Sequence, residues 1–421
     1  MNHTPLHTRP KVFFKTFGCR TNIYDTQVMI ENLKDFDLTN DENDADIVVI
    51  NSCTVTNGAD SSVRAYATKQ DSAGKKVFLV GCGAFSEGEK LFNKNRLFGV
   101  LGHSEKENIN ELLFSKTPFF KIGDLNFIDK TIVSSYEGKC KAYIKIQEGC
   151  NFNCSYCIIP SVRGHSRSQE EKKILEQIEN LANNGYGEFV LTGTNVGSYG
   201  KDKKSSLGNL LKNISKIRGV RRVRLGSVEP VQIDDNFREI LKESWLEKHL
   251  HIALQHTNES MLKIMRRRNS VKSDLQLFCE LEELGYALGS DFIVGHPGET
   301  DAIWKDSREK LKEFPLTHLH AFCFSPRKGT HSATLKQEVN GVVAKQRLKE
   351  LVSIVEEKNI NFRNKNSVSL EVLIEEKKGN FYTGYDQFYN RVFITSKEDI
   401  TKKWVTIKNY EIKKEGNYGV F

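Results

Sequence analysis

Nine cysteines occur in this chain of 421 residues, and three of them, Cys150, Cys154 and Cys157, share the run Cys-Asn-Phe-Asn-Cys-Ser-Tyr-Cys. Their spacing is C-x3-C-x2-C. A thiolate is a soft donor that suits an iron–sulfur cluster or zinc. Three thiolates hold three corners of a four-iron cluster whose full protein ligation takes four, so one iron keeps a position open to a small molecule. The spacing also admits a Cys3His zinc site completed by His165. A disulfide fits poorly, because the three thiols lie on one short loop and leave an odd one over.

A second set of three cysteines is dispersed. Cys19, Cys53 and Cys82 each stand just past the carboxyl end of a predicted strand, at residues 11–16, 45–51 and 76–80. Helical stretches at 25–33 and 61–69 separate these strands. The run ADIVVIN at 45–51 is largely apolar, as a buried parallel strand is. Ligands of open α/β sheets gather outside the carboxyl ends of the strands. The three cysteines are therefore expected to converge on a second metal site. Alone, each would read as a small packed hydrophobe, and that is the reading given to Cys140, Cys279 and Cys323.

The elements that must position the cysteine loop alternate along the chain. Strands are predicted at 142–147, 188–192, 221–225, 251–254, 291–294 and 318–324, with helices at 172–183 and 207–217. Repeated βα units imply a parallel sheet or partial barrel with functional residues at the carboxyl ends. Gly193-Thr194-Asn195-Val196-Gly197, Glu229 and Gln255 stand there. The two glycines would let backbone approach a ligand closely, and by spacing alone they also read as a simple turn. The basic run Lys263, Arg266, Arg267 and Arg268 reads either as a solvated face or as a contact for phosphates. A helix is predicted at 341–361. After Asn366, alternating runs at 369–374, 380–385, 391–394 and 404–407 read as a small antiparallel β-barrel.

Cys150-x3-Cys154-x2-Cys157 with Tyr156 resembles the signature of the radical S-adenosylmethionine (SAM) enzymes. The longer run from Gln147 to Pro160, followed by Arg163-Gly164 and Ser166-Arg167, is similar to the methylthiotransferase branch. Gly18-Cys19-x-x-Asn22, Asn51-Ser-Cys53-x-Val55 and Gly81-Cys82-x-Ala84 match the three cysteine motifs of that family's N-terminal domain. Gly384-Tyr-Asp-x-x-Tyr389-x-x-Val392 loosely resembles its C-terminal TRAM domain. The resemblance covers nearly the whole chain. It implies an α/β protein in three parts: a methylthiotransferase domain at 9–126, a radical SAM partial (β/α) barrel at 136–365, and a TRAM-like RNA-binding β-barrel at 366–421.

The resemblance also implies two [4Fe-4S] clusters, one on Cys19, Cys53 and Cys82 and one on Cys150, Cys154 and Cys157. SAM would chelate the open iron of the second cluster, with Gly193, Thr194, Glu229 and Gln255 as further contacts. Reductive cleavage to a 5′-deoxyadenosyl radical would need a flavodoxin- or ferredoxin-type donor. Hydrogen abstraction at an adenosine C2 in the anticodon stem-loop of tRNA, and transfer of a methylated sulfur, would follow. No catalytic residue is assigned beyond the cluster ligands. The chain departs from the family pattern at Phe85, at His256-Thr257-Asn258 and at His296.

The family's branches modify isopentenyladenosine in tRNA, threonylcarbamoyladenosine in tRNA, or an aspartate of a ribosomal protein. Gly18-Cys19-Arg20-Thr21-Asn22 looks most like the threonylcarbamoyl version. That base carries a carboxylate, for which an arginine is a fitting bidentate partner. Arg20 is the residue offered for this, against the reading of a plain surface arginine; isopentenyladenosine is the alternative substrate.

Composition sets outer limits. Lys and Arg number 62 against 54 Asp and Glu, a net charge of +8 that permits a nucleic-acid partner without demanding one. Residues 366–421 hold 9 Lys/Arg and 8 Asp/Glu, a net of 9 − 8 = +1, so an RNA role for that segment rests on the resemblance. No apolar run approaches the ~18 residues of a membrane span. Residues 1–10 show no apolar core of a signal peptide. Reduced thiols or metal sites, and a cytoplasmic protein, are the expectation. From the residues alone, a two-cluster electron carrier and a zinc-dependent RNA-binding module stand as rivals to an enzyme.

Overall fold

The computed structural model describes residues 9–336 and 338–421, so most of the N-terminal stretch read for a signal peptide lies outside the described residues. Strands β1 (Lys11–Thr16), β2 (Asp37–Leu38), β3 (Ile47–Ser52), β4 (Lys76–Gly81), β5 (Gly99–Leu101) and β6 (Phe119–Lys121) form one parallel sheet in the order β2-β1-β3-β4-β5-β6. All six residues of β3 are buried, as a strand covered on both faces requires. β5 and β6 were not expected from sequence, since three residues are too few for periodicity to register. Thr16 pairs with Asn51, and Asn51 with Val80, so the carboxyl ends of β1, β3 and β4 finish level.

The centre holds two further sheets. β7 (Ala142–Glu148), a short β8 (Arg167–Ser168), β9 (Glu188–Gly193) and β10 (Arg222–Leu225) form one, in the order β10-β9-β7-β8. β11 (His249–His251), β12 (Ala287–Val294) and β13 (Leu316–Cys323) form the other. Parallel bridges at Val223–Leu246 and Val228–Ile252 join them, and the six parallel strands β7, β9, β10, β11, β12 and β13 make a partial barrel. The expected strand at 251–254 is displaced to 249–251. Beyond it the backbone turns, and Gln255, with φ +67°, returns to the sheet by a lone bridge to Phe292.

The last segment follows the helix Gly341–Lys365. It comprises β14 (Leu370–Lys378), β15 (Phe381–Tyr385), β16 (Arg391–Thr395), β17 (Trp404–Ile407), β18 (Tyr410–Lys413) and β19 (Gly416–Val420). They form a curled sheet in the order β17-β14-β15-β16-β19-β18. It is not purely antiparallel as expected, because β19 returns beside β16 in the parallel sense.

The barrel core takes in residues of the first part, although the first sheet and the last sheet also keep hydrophobic clusters of their own. Tyr24 and Val28, on the helix Arg20–Glu31, pack in the same buried cluster as Ile144, Phe189 and Leu191 of the barrel. The C-terminal sheet is likewise docked by polar contacts. Arg222 donates to the Glu371 carbonyl at 2.6 Å, Arg224 to the Asp386 carbonyl at 2.8 Å, and the Lys248 amide to Gln387 at 2.9 Å. Beneath it, buried Arg224 pairs with Glu188 at 2.8 Å and with Glu247. Among the described residues no helix is long and apolar enough to cross a membrane.

Candidate functional site

Cys19 stands at the N-terminus of the helix Arg20–Glu31, Cys53 directly after β3, and Cys82 directly after β4. Gly18, at φ +94°, lets the first loop close onto the second: a Cβ there would meet the Cys53 Cβ at 2.5 Å and its Sγ at 3.0 Å. Asn22 fixes this junction by donating to the carbonyls of Phe17 and Ser52, at 2.8 and 2.9 Å. The three dispersed cysteines are brought together.

The central cysteine loop comes to the same place. Arg163 is buried at the end of the short helix Ile159–Arg163. Its Nε donates to Cys82 Sγ at 3.1 Å, and its Nη2 to Asn22 Oδ1 at 2.7 Å. It also pairs with Asp25 at 3.1 Å and Glu148 at 2.5 Å. Lys145 and Lys106 complete a buried network: Lys145 meets Asp25, Asp129 and Glu148 at 2.6, 2.5 and 2.9 Å, and Lys106 meets Asp25 and Asp129 at 2.8 Å each. Three cations, joined by Arg167 at 3.5 Å from Glu148, thus face three carboxylates. Burial opposes the Asp25 charge, but Lys106, Lys145 and Arg163 overcome it and hold that carboxyl well below the usual range.

Donors surround the central cysteines too. The Phe152 amide lies 3.4 Å from Cys150 Sγ, Asn195 Nδ2 3.6 Å from the same sulfur, and Arg267 Nη1 3.5 Å from Cys154 Sγ. Burial pushes the Cys82 thiol up to about 11 and the Cys157 thiol up to about 12, and raises Cys53 and Cys154 as well. Such thiols stay protonated near neutrality unless a metal displaces the proton. Clustered cysteines, N–H donors aimed at sulfur and no competing disulfide suit thiolate ligands of an iron–sulfur centre. His165 turns its ring to Asn151 at 3.3 Å.

The four nominated SAM contacts fall around this loop. Gly193 ends β9 beside Gln147, and Thr194 Oγ1 accepts from the Gly149 amide at 3.2 Å, one residue before Cys150. Glu229 is held by Arg267, whose Nη1 donates to it at 3.0 Å. Gln255 lines a cavity of about 270 Å³ together with Cys157, Ile158, Phe322 and, from the loop after Cys53, Val55 and Thr56. Cys157 of one set and the residues following Cys53 of the other therefore border one space. Arg327 closes its rim, paired with Asp60 at 2.7 Å and donating to the Thr54 carbonyl at 2.7 Å.

Several sequence readings are corrected. Arg267, in the basic run read as surface or RNA-facing, has a side chain only 1% exposed and serves Glu229 and Cys154. Arg20 turns away from the cavity, donates to the Tyr389 hydroxyl at 2.7 Å and lies over that ring. The unusual His256 is fully buried against Phe292, Thr257 bonds Ser307, and Asn258 caps the helix Glu259–Ile264, so this departure serves packing. His296 lies 2.7 Å from Ser332 Oγ, which donates to Ser155 in the cysteine loop at 2.8 Å. Phe85 stacks on His103. Arg163, Arg267, Asn195 and Arg327 were not singled out as site residues in the sequence; Arg163-Gly164 was noted only as motif.

On the C-terminal sheet, Phe393 and Tyr418 stack with centroids 4.6 Å apart and Phe381 stands edge-on to both. Arg391 lies over Phe393 at 5.0 Å and Lys413 over Tyr418 at 4.8 Å.

Residues 11–102 match the family described as Uncharacterized protein family UPF0004, and residues 144–311 the Radical SAM superfamily. A Helicobacter pylori (strain ATCC 700392 / 26695) protein named "Putative methylthiotransferase" is 50% identical, covering 98% of this chain and 100% of its own. The threonylcarbamoyladenosine tRNA methylthiotransferase MtaB of Bacillus subtilis is 31% identical over 97% of this chain and 96% of its own. The tRNA-2-methylthio-N(6)-dimethylallyladenosine synthase of Halalkalibacterium halodurans is 32% identical over 87% of this chain and 72% of its own. Among solved structures, the radical S-adenosylmethionine methyltransferase TsrM of Kitasatospora setae superposes with a TM-score of 0.61 at 14% identity, covering 77% of each chain, a likeness of fold. Members of the methylthiotransferase family work with SAM and two [4Fe-4S] clusters. Joined to a radical SAM match and two converging cysteine sets, relatives of this identity along nearly the full length place the chain in the radical SAM methylthiotransferase family.

Proposed function

We propose that the protein methylthiolates C2 of N6-threonylcarbamoyladenosine next to the anticodon of tRNA. Family membership sets aside the electron-carrier and zinc-module readings. The observation that supports methylthio transfer is the cavity bordered by Cys157 and by the loop after Cys53, whichever base is modified. When bound, one cluster on Cys150, Cys154 and Cys157 with SAM, and another on Cys19, Cys53 and Cys82, supply the radical and the sulfur, given electrons from a flavodoxin- or ferredoxin-type donor.

The protein's own groups position and shield. Ile158, Ile159, Ile293 and Phe322 give the cavity an apolar lining. Gln147 ties the cysteine loop to the loop after β9, accepting from the Asn195 amide at 2.7 Å and donating to the Gly149 carbonyl at 2.7 Å. Thr194, Glu229 and Gln255 are the groups offered for SAM. The Phe381, Phe393 and Tyr418 platform with Arg391 and Lys413 is suited to stacking unpaired bases beside a phosphate backbone.

The Gly18–Asn22 motif and the name of the Bacillus subtilis relative support the threonylcarbamoyl base. The largely apolar cavity lining, and the dimethylallyladenosine relative at similar identity, favour a second reading, isopentenyladenosine. Mass spectrometry of tRNA nucleosides from cells lacking the gene decides. Loss of the 2-methylthio form of threonylcarbamoyladenosine is expected; loss of the isopentenyl form alone would select the second reading.

A further inference from the structure

One face of the second barrel sheet carries a group of side chains that has been given no role so far. Asp291 and His320 are cross-strand partners on β12 and β13, and His251 reaches them from the end of β11. His251 Nε2 lies 3.2 Å from Asp291 Oδ1, and His320 Nδ1 lies 3.6 Å from the same oxygen. The imidazoles stack with centroids 4.9 Å apart, and the three donor atoms all fall within 4.8 Å of one another. Donors on a tetrahedral ion at bonds of about 2.0–2.1 Å stand about 3.3 Å apart, close to the two His–Asp separations of 3.2 and 3.6 Å.

The space is provided by sequence. Gly289 sits across β12 from His251, where a Cβ would come within 2.9 Å of His251 Nδ1 and 3.0 Å of His249 Nε2. Asp291 also lines the cavity that holds Cys157 and Gln255, so the group has an open side and a route of entry. A second acidic and histidine group, Asp25, His103 and Glu148, makes the contrast. Lys106, Lys145 and Arg163 already neutralise its carboxylates. Among the described residues, the ion-pair partners of Asp291 are the two histidines alone.

We propose that His251, Asp291 and His320 bind a divalent first-row transition ion, Zn²⁺ or Fe²⁺, with its remaining coordination directed into the cavity. Two imidazoles and one carboxylate form the borderline donor set these ions prefer, whereas Mg²⁺ and Ca²⁺ call for oxygen donors throughout. The rival account is a pair of His–Asp hydrogen bonds that orient the rings and bind nothing.

Equilibrium dialysis against buffered Zn²⁺ tests this on protein whose iron–sulfur clusters have been reconstituted, so that the cluster cysteines are occupied. Zinc and iron are then measured by elemental analysis. The wild-type protein should retain about one zinc per chain beyond its iron. His320→Ala, an exposed position whose loss leaves the core intact, and Asp291→Asn should each retain none at the same free zinc, with iron content unchanged. Equal zinc in the wild type and either correctly folded variant, or none in the wild type, would overturn the proposal.

Discussion

Arg163 Nε lies 3.1 Å from Cys82 Sγ, so an arginine of the central cysteine segment donates directly to a cysteine at the end of β4. The same guanidinium bonds Asn22, three residues after Cys19. The segment after one cysteine set therefore supplies a hydrogen-bond donor to a cysteine of the other.

Arg163→Lys keeps a positive charge but lacks the planar fork that reaches Cys82, Asn22, Asp25 and Glu148 together. Losing the N–H donor to sulfur should shift the potential of a cluster on Cys19, Cys53 and Cys82 to more negative values, while the other cluster keeps its own. Redox titration followed by electron paramagnetic resonance reads both; an unchanged pair of potentials would count against the contact. Arg163→Gln removes one of three cations facing three buried carboxylates and should cost about 3–5 kcal/mol of stability.

Iron content tests the ligand sets themselves. The intact protein should hold about eight irons. Replacing Cys150, Cys154 and Cys157 by Ala should halve the iron and abolish SAM cleavage. Replacing Cys19, Cys53 and Cys82 should also halve it while SAM cleavage persists. Cys140, Cys279 and Cys323 changed singly to Ser should leave the iron count untouched.

Burial pushes the His296 imidazole down to about 4, against an ordinary value of about 6.5 for the unfolded chain. The unfolded state thus takes up the proton first as pH falls. Stability from this group is full above pH 6.5, declines toward pH 4, and changes no further below it. At pH 5 the loss should be about 2 kcal/mol. His296→Phe should show a shallower fall of melting temperature between pH 7 and pH 5, and an identical slope would show that His296 is not responsible.

Residues 366–421 do not hang free of the barrel, since the segment receives hydrogen bonds from Arg222 and Arg224, which pair with Glu188 and Glu247 beneath it. Truncation after Lys365 should lower the melting temperature and the soluble yield. The RNA role is better tested by Phe393→Ala with Tyr418→Ala, which should weaken tRNA binding with little loss of stability, and by a fall in wild-type affinity as salt rises. Unchanged binding by the double variant would remove the platform from the RNA interface.

The cysteine loops were legible because their information is local. Spacing declares the loop at 150–157, and a repeated position after strands declares the other set. Long-range electrostatics left no such trace. Arg163 and Asp25 are 138 residues apart and meet only through the packing of the first helix on the barrel. His320 faces Asp291 through strand register, which no single residue type announces. Arg20, offered from its motif for a substrate carboxylate, meets Tyr389 in the structure, a partner 369 residues away that its own neighbours do not announce. The strands at 99–101 and 119–121 escaped because each is three residues long.

The helix behind Cys19 carries an order of assembly. Asp25 needs Lys106, Lys145 and Arg163, so on the ribosome this helix is made long before its last counter-ion exists. A buried carboxylate without those partners is costly, so the docking of this helix on the barrel should be completed only after residue 163 has left the exit tunnel. Splitting the gene between residues 126 and 136 would leave each product with half of a charge network, and the two would have to be made together to fold.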